Sequence, residues 1–125
     1  MPGMNIRHHI TVLDAADIAT ESAFWAAVLA GEVDADDHWH SIIVDGKPTL
    51  AVQLALDHQA PEWPHGLPQQ MHVDLWVTDP DDAHGEVLAL GARLLQDANG
   101  PGLPDDFRVY ADPAGHPFCI CWWNS

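Results

Sequence analysis

Basic residues are scarce in this chain: four Lys plus Arg stand against nineteen Asp plus Glu across 125 residues, a formal charge of −15. A field of that sign repels nucleic-acid phosphates and anionic lipid headgroups and draws cations, so neither nucleic acid nor membrane is an expected partner. Cysteine is scarcer still. Cys119 and Cys121 lie two apart in one apolar run, where a strand sets them in line on one face, a poor geometry for a disulfide. A chain of this length buries enough surface to need no such staple, and a reduced, cytoplasmic setting is the expectation. No run approaches the ~18 apolar residues of a membrane span. Residues 1–7 lack the apolar core of a secretory signal.

What the chain does have is a pattern written twice. His9 opens an alternating run, 9–13, that leads through Asp17 into helical spacing over 18–29; His72 opens another, 72–77, that leads through Asp79 and Pro80 into 80–90. The two histidines are 63 residues apart, half the chain. Asp17 and Asp79 are placed to cap exposed helix amides, Pro80 suits a first helical position, and Gly31 and Gly91 offer left-handed stops. Strands are expected at 39–44 and 49–56 around the Asp45-Gly46 hairpin signal, and at 93–96, 107–111 and 117–123 with a last turn at 112–115. The Pro- and Gly-rich stretch 58–70 reads as a connector. The expected fold is α+β: a single domain of two tandem βαββ(β) modules, about 6–57 and 71–123, forming a mixed, incompletely closed barrel.

Strand alternation then sorts side chains by face. With Ile10 and Val12 packed under the helices, His9, Thr11 and Leu13 face the other way. Leu50, Val52, Leu54 and Leu56 turn out Ala51, Gln53 and Ala55. Met71, Val73, Leu75 and Val77 turn out His72, Asp74 and Trp76, and Phe118, Ile120 and Trp122 oppose Cys119, Cys121 and Trp123. His9, Gln53, His72 and Cys119 are therefore expected on one concave surface, a nitrogen, oxygen and sulfur set of the kind that binds zinc, iron or nickel. Trp76 falls beside His72 and Asp74, Trp39 lies near a rim, and Arg108 and Tyr110 share a strand face expected to look inward. Acidic groups among aromatic walls suit a cationic or flat aromatic ligand.

These segments resemble the vicinal oxygen chelate superfamily, the glyoxalase, bleomycin-resistance and dioxygenase proteins. The resemblance is carried by His9-Ile10-Thr11-Val12, by Phe24-Trp25 in the first helix, by His72-Val73-Asp74-Leu75-Trp76-Val77, and by Asp112-Pro113-Ala114-Gly115-His116-Pro117-Phe118-Cys119. It implies a metal set at His9, Gln53, His72 and Cys119, and a homodimer. Where the family's glyoxalases carry a glutamate, this chain has Cys119. A proton-shuttling carboxylate is missing there and Gln53 is no base, so lactoylglutathione lyase chemistry is not expected. The resemblance implies a small-molecule-binding protein of the bleomycin-resistance type, and strand alternation supplies its expected lining, Trp39, Asp74, Trp76, Arg108 and Tyr110. The alternatives are a metal-dependent lyase or oxygenase chelating vicinal oxygens of its substrate, and a noncatalytic subunit docking a basic partner.

Overall fold

Two aspartates start the two helices by the same device. Asp17 Oδ1 accepts from the Thr20 amide at 3.1 Å and Asp79 Oδ1 from the Asp82 amide at 3.0 Å, each relieving a free N–H of the first turn. The computed structural model describes residues 8–68 and 71–124. Residues 6 and 7 of the expected first module and the last two of the expected connector lie outside that span. The chain divides into two units, Met1–Leu56 and Asp57–Ser125. The first runs β1 (Thr11–Ala15), α1 (Ile18–Leu29), β2 (Glu32–Ala35), β3 (Trp39–Val44) and β4 (Lys47–Leu54). The second runs β5 (Val73–Trp76), α2 (Pro80–Leu90), β6 (Arg93–Gln96), β7 (Asp105–Ala111) and β8 (Pro117–Trp123).

Each unit folds one four-stranded sheet, in the orders β1-β4-β3-β2 and β5-β8-β7-β6. The opening pair is parallel and the remaining pairs antiparallel, so the helix serves as the crossover that a parallel neighbour requires. Neither sheet closes on itself. β2 is the one strand that alternation does not signal, because all four of its residues are exposed at a sheet edge. The Asp45-Gly46 hairpin forms with both residues at positive φ, 49° and 76°, as a two-residue turn between twisted strands requires.

Each helix covers one face of its own sheet. Under α1 lie Ile42, Leu50 and Val52, with Trp25 and Phe24 packed edge to face at 5.3 Å. Ser22 Oγ on α1 and His40 Nδ1 on β3 are hydrogen-bonded at 2.7 Å. Under α2 lie Tyr110, Phe118 and Ile120, the first two rings stacked at 5.4 Å, and the Tyr110 hydroxyl is hydrogen-bonded to His84 Nδ1 at 2.8 Å. Burying one such large apolar side chain stabilises by roughly 1.5–3 kcal/mol.

Two expectations are corrected here. α1 ends on Ala30, not on Gly31: Ala30 is left-handed at φ 55° and Gly31 donates to Ala26 in the closing bond. Gly31 is needed for close approach, since a Cβ there would meet the Ile43 carbonyl oxygen at 2.7 Å. In β1 the faces are inverted. Thr11 and Leu13 register with Leu50 and Val52, parallel partners share a side, and Leu50 and Val52 are under α1. Val12, 42 % exposed, and Asp14 are therefore on the helix-free face.

That inversion resets the internal repeat. Thr11 stands six residues before its cap Asp17, and Val73 six before its cap Asp79, so the units correspond at an offset of 62, not 63. His72 matches Ile10 and not His9. A slip of one residue moves every side chain of a strand to the other face.

Residues 57–68 belong to the second unit. His58 Nε2 donates to the Ala114 carbonyl at 3.0 Å, and Ala60 lies so close to Gly115 that a Cβ there would meet it at 2.5 Å. Among the described residues no helix is long and apolar enough to cross a membrane.

Candidate functional site

The helix-free face of the second sheet carries the chemistry. Val73 and Leu75 turn toward α2, which puts His72, Asp74 and Trp76 on the opposite side, and the registers Asp74↔Cys119, Trp76↔Cys121, Val109↔Cys119 and Phe107↔Cys121 add the odd-numbered residues of β7 and β8 to it. His72, Asp74, Trp76, Phe107, Asp105 and Cys119 line a cleft of about 260 Å³.

At one end of the cleft are three unlike donors. His72 Nε2 and Asp74 Oδ1 are 3.2 Å apart, each side chain about half exposed, and a ring nitrogen of His72, a carboxylate oxygen of Asp74 and Cys119 Sγ all lie within 4.8 Å of one another. Burial, with the Asp74 charge and a hydrogen bond to Asp74, pushes the Cys119 thiol up to about 12. Burial and the Asp74 and Asp105 charges push Cys121 up to about 11. Both are neutral thiols at neutral pH, which removes either as a ready nucleophile. At the other end Trp76 and Trp123 stack at 4.8 Å between ring centroids, 52 % and 71 % exposed, with Phe107 beside the cleft. An indole pair left this open to water is apolar surface without a core function.

One wall of the cleft is held by a buried carboxylate. Asp106 Oδ1 accepts from the Asn99 and Phe107 amides and from Asn99 Nδ2, and Oδ2 accepts from the Gly100 amide, all at 2.8–3.0 Å. These donors, the Asn99 amide foremost, hold its pKa down to about 2 despite the opposing cost of burial. The loop before β7 is thereby wound around a single side chain.

The residues expected at a site are distributed as follows. His72, Asp74, Trp76 and Cys119 are brought together. Gln53 and Trp39 are registered neighbours in the first unit, on its helix-free face with Asp14, and both are exposed. His9 is exposed and precedes β1. Arg108 and Tyr110 are corrected: they register with Ile120 and Phe118 and so look toward α2, on the face opposite Cys119. Tyr110 is wholly buried, and Arg108 donates to Asp97 at 2.9 Å and lies 5.2 Å over the Trp122 ring. Their polarity is spent on partners from α2, the β6–β7 loop and β8, whereas alternation alone turns it inward to the cup. Asp105, Phe107 and Trp123 are added by the structure: registering the expected strand 107–111 against 117–123 finds Phe107, the spacing from Cys119 finds Trp123, and Asp105 precedes that expected strand because β7 begins two residues earlier.

The glyoxalase-like domain family matches residues 10–121. No functionally curated relative matches the chain. Among solved structures, a glyoxalase/bleomycin resistance protein/dioxygenase family enzyme from Burkholderia phytofirmans is similar at 16 % identity and TM-score 0.70, with 92 % of this chain and 97 % of that one covered. A genomically encoded fosfomycin resistance protein from Listeria monocytogenes is similar at 13 % identity and TM-score 0.72, covering 97 % and 96 %. A glyoxalase-related enzyme from Fulvimarina pelagi is similar at 17 % identity and TM-score 0.68, covering 94 % and 88 %. At these identities the likeness shows the fold.

Proposed function

The chain belongs to the glyoxalase-like domain family, within the vicinal oxygen chelate superfamily, and from that premise we propose that it binds a small cationic or aromatic molecule in the cleft of its second sheet, in the manner of the bleomycin-resistance branch. The observation that carries the reading is the open Trp76–Trp123 stack beside Asp74 and Asp105. An aromatic face attracts a cation through its quadrupole, carboxylates beside it add charge of the right sign, and the −15 of the whole chain raises the local concentration of such ligands. Proton-shuttling isomerisation of the lactoylglutathione lyase kind is not part of this reading, since a neutral thiol stands at Cys119.

Tryptophan fluorescence and calorimetry with a planar quaternary aromatic cation, on chelator-treated protein, test it. Saturable quenching is expected, weakened about 2- to 30-fold by Trp76→Ala, the span of a cation–π contact of roughly 0.5–2 kcal/mol. Trp39→Ala in the first unit is expected to leave the affinity unchanged. A screen of such cations that yields no saturable quenching overturns the reading.

A second reading, a metal-dependent lyase or oxygenase whose substrate supplies neighbouring oxygens to the ion, is favoured by one observation, the meeting of His72, Asp74 and Cys119. Metal content of protein purified without chelator separates the two.

A further inference from the structure

The metal set implied by resemblance draws donors from both halves of the chain, whereas the donors that the structure gathers all come from the second. The pleat sets His72 and Asp74 on one side of their strand, and parallel pairing puts Cys119 in register beside Asp74. A tetrahedral ion bonded at ~2.0–2.3 Å spaces its donors roughly 3.3–3.8 Å apart. His72 and Asp74 are at 3.2 Å and all three donor atoms lie within 4.8 Å of one another, close to the spacing such an ion imposes. Imidazole, thiolate and a single carboxylate form a borderline-to-soft set that suits zinc, cobalt or nickel and is a poor cage for calcium or magnesium. At the corresponding positions the first unit has Ile10, Val12 and Ala51, none of which can donate to an ion.

We propose that Asp74 is a metal ligand, and that His72, Asp74 and Cys119 hold a zinc-class divalent ion within the second unit alone, in place of the set His9, Gln53, His72 and Cys119. The inference deepens the metal-dependent reading given above and rests on it. Binding exchanges the Cys119 thiol proton, released to solvent, for the ion. Asp74 thereby has a role beyond pairing with its neighbour His72.

Titration of the chelator-treated full chain with cobalt(II), followed by absorption in the absence of any organic ligand, tests the assignment. One equivalent of cobalt is expected to bind with a thiolate-to-cobalt charge-transfer band that zinc displaces. Cys119→Ser is expected to abolish the band, and Cys121→Ser to leave it. Asp74→Asn and Asp74→Ser are expected to weaken cobalt binding about tenfold or more, since even groups that merely support ligands cost 10- to 100-fold. His9→Ala and Gln53→Ala are expected to bind as the wild type does. Asp74 is half exposed, so its variants are expected to melt with the wild type in the metal-free state, and that melting temperature is the folding control. Wild-type cobalt affinity in both Asp74 variants overturns the assignment. So does a loss in His9→Ala or Gln53→Ala as large as that in Cys119→Ser, which leaves the metal-dependent reading standing on the four-donor set. No cobalt bound by the wild type ends both.

Discussion

The two units share a scaffold and differ in what they display on it. Both start their helix from a capping aspartate six residues after the first residue of the opening strand, pair that strand parallel to the last, and leave one sheet face free of the helix. Both place a polar pair between helix and sheet at corresponding helix positions, Ser22 with His40 and His84 with Tyr110. On the helix-free face the correspondence of residues ends. Ile10, Val12 and Ala51 stand where the second unit has His72, Asp74 and Cys119, and Asp14, Gln53 and Trp39 stand where it has Trp76, Cys121 and Phe107. The shared positions are those that build the fold, and the divergent ones are those the fold leaves to chemistry.

If the cores correspond as the faces do not, truncating matched core positions should cost similar amounts. Phe118 is fully buried under α2, and its counterpart Leu50 is 4 % exposed under α1. Phe118→Ala is expected to lower the unfolding free energy by about 3–5 kcal/mol and Leu50→Ala by about 2–5 kcal/mol, measured by denaturant titration. A cost below about 1 kcal/mol at either position would break the comparison, because it would mean that one sheet is not packed on its helix as the other is.

The next effect belongs to the second unit alone. The loop between β2 and β3 is three residues long, whereas that between β6 and β7 is eight and is wound around Asp106. The Asp106 pKa is held at about 2, below its ordinary value of 3.8, so the native state favours the carboxylate. Its contribution to stability is therefore complete above pH 3.8 and is lost as the pH falls through about 2. In Asp106→Asn an amide NH₂ replaces one acceptor oxygen and leaves a backbone N–H without its partner. The variant is expected to melt below the wild type at neutral pH, with the gap narrowing as both are taken from about pH 4 to pH 2. A gap that does not change with pH would assign the loss to geometry and not to the charge.

How far the sequence foretold these elements depended on whether the deciding force was local. The capping aspartates, the Asp45-Gly46 turn, both helices and the faces of β5 and β8 were legible, because a capping carboxylate or a strict alternation acts within a few residues. β1 was not, since Ile10, Val12 and Leu13 are all apolar and only pairing with β4 decides which of them the helix covers. Matching histidine to histidine then put the repeat one residue out of step. Arg108 and Tyr110 were misplaced for a related reason: polar residues on a strand are assigned to the cup unless the partners that absorb them on the helix side, Asp97, Trp122 and His84, are known. Of the site, the cluster around His72 was visible in the β5 alternation, while Phe107 and Asp105 required the β7–β8 register.

The smallest expected effect makes the second unit more like the first. Gly85 lies inside α2 where the matched position of α1 is Ala23. A Cβ at Gly85 would meet nothing within 4 Å, and its φ is not in the left-handed region, so neither space nor backbone conformation requires glycine. Glycine at a helix interior costs about 0.5–1 kcal/mol relative to alanine, mainly through the greater freedom of the unfolded chain. Gly85→Ala is expected to raise the unfolding free energy by that amount, read as a higher denaturant midpoint with an unchanged slope. Cobalt and aromatic-cation binding should be unaffected, since α2 packs on the face opposite His72, Asp74 and Cys119. A Gly85→Ala variant that gained stability and lost binding would show that the helix and the cleft are coupled through the sheet, a dependence that the sorting of side chains onto two faces does not contain.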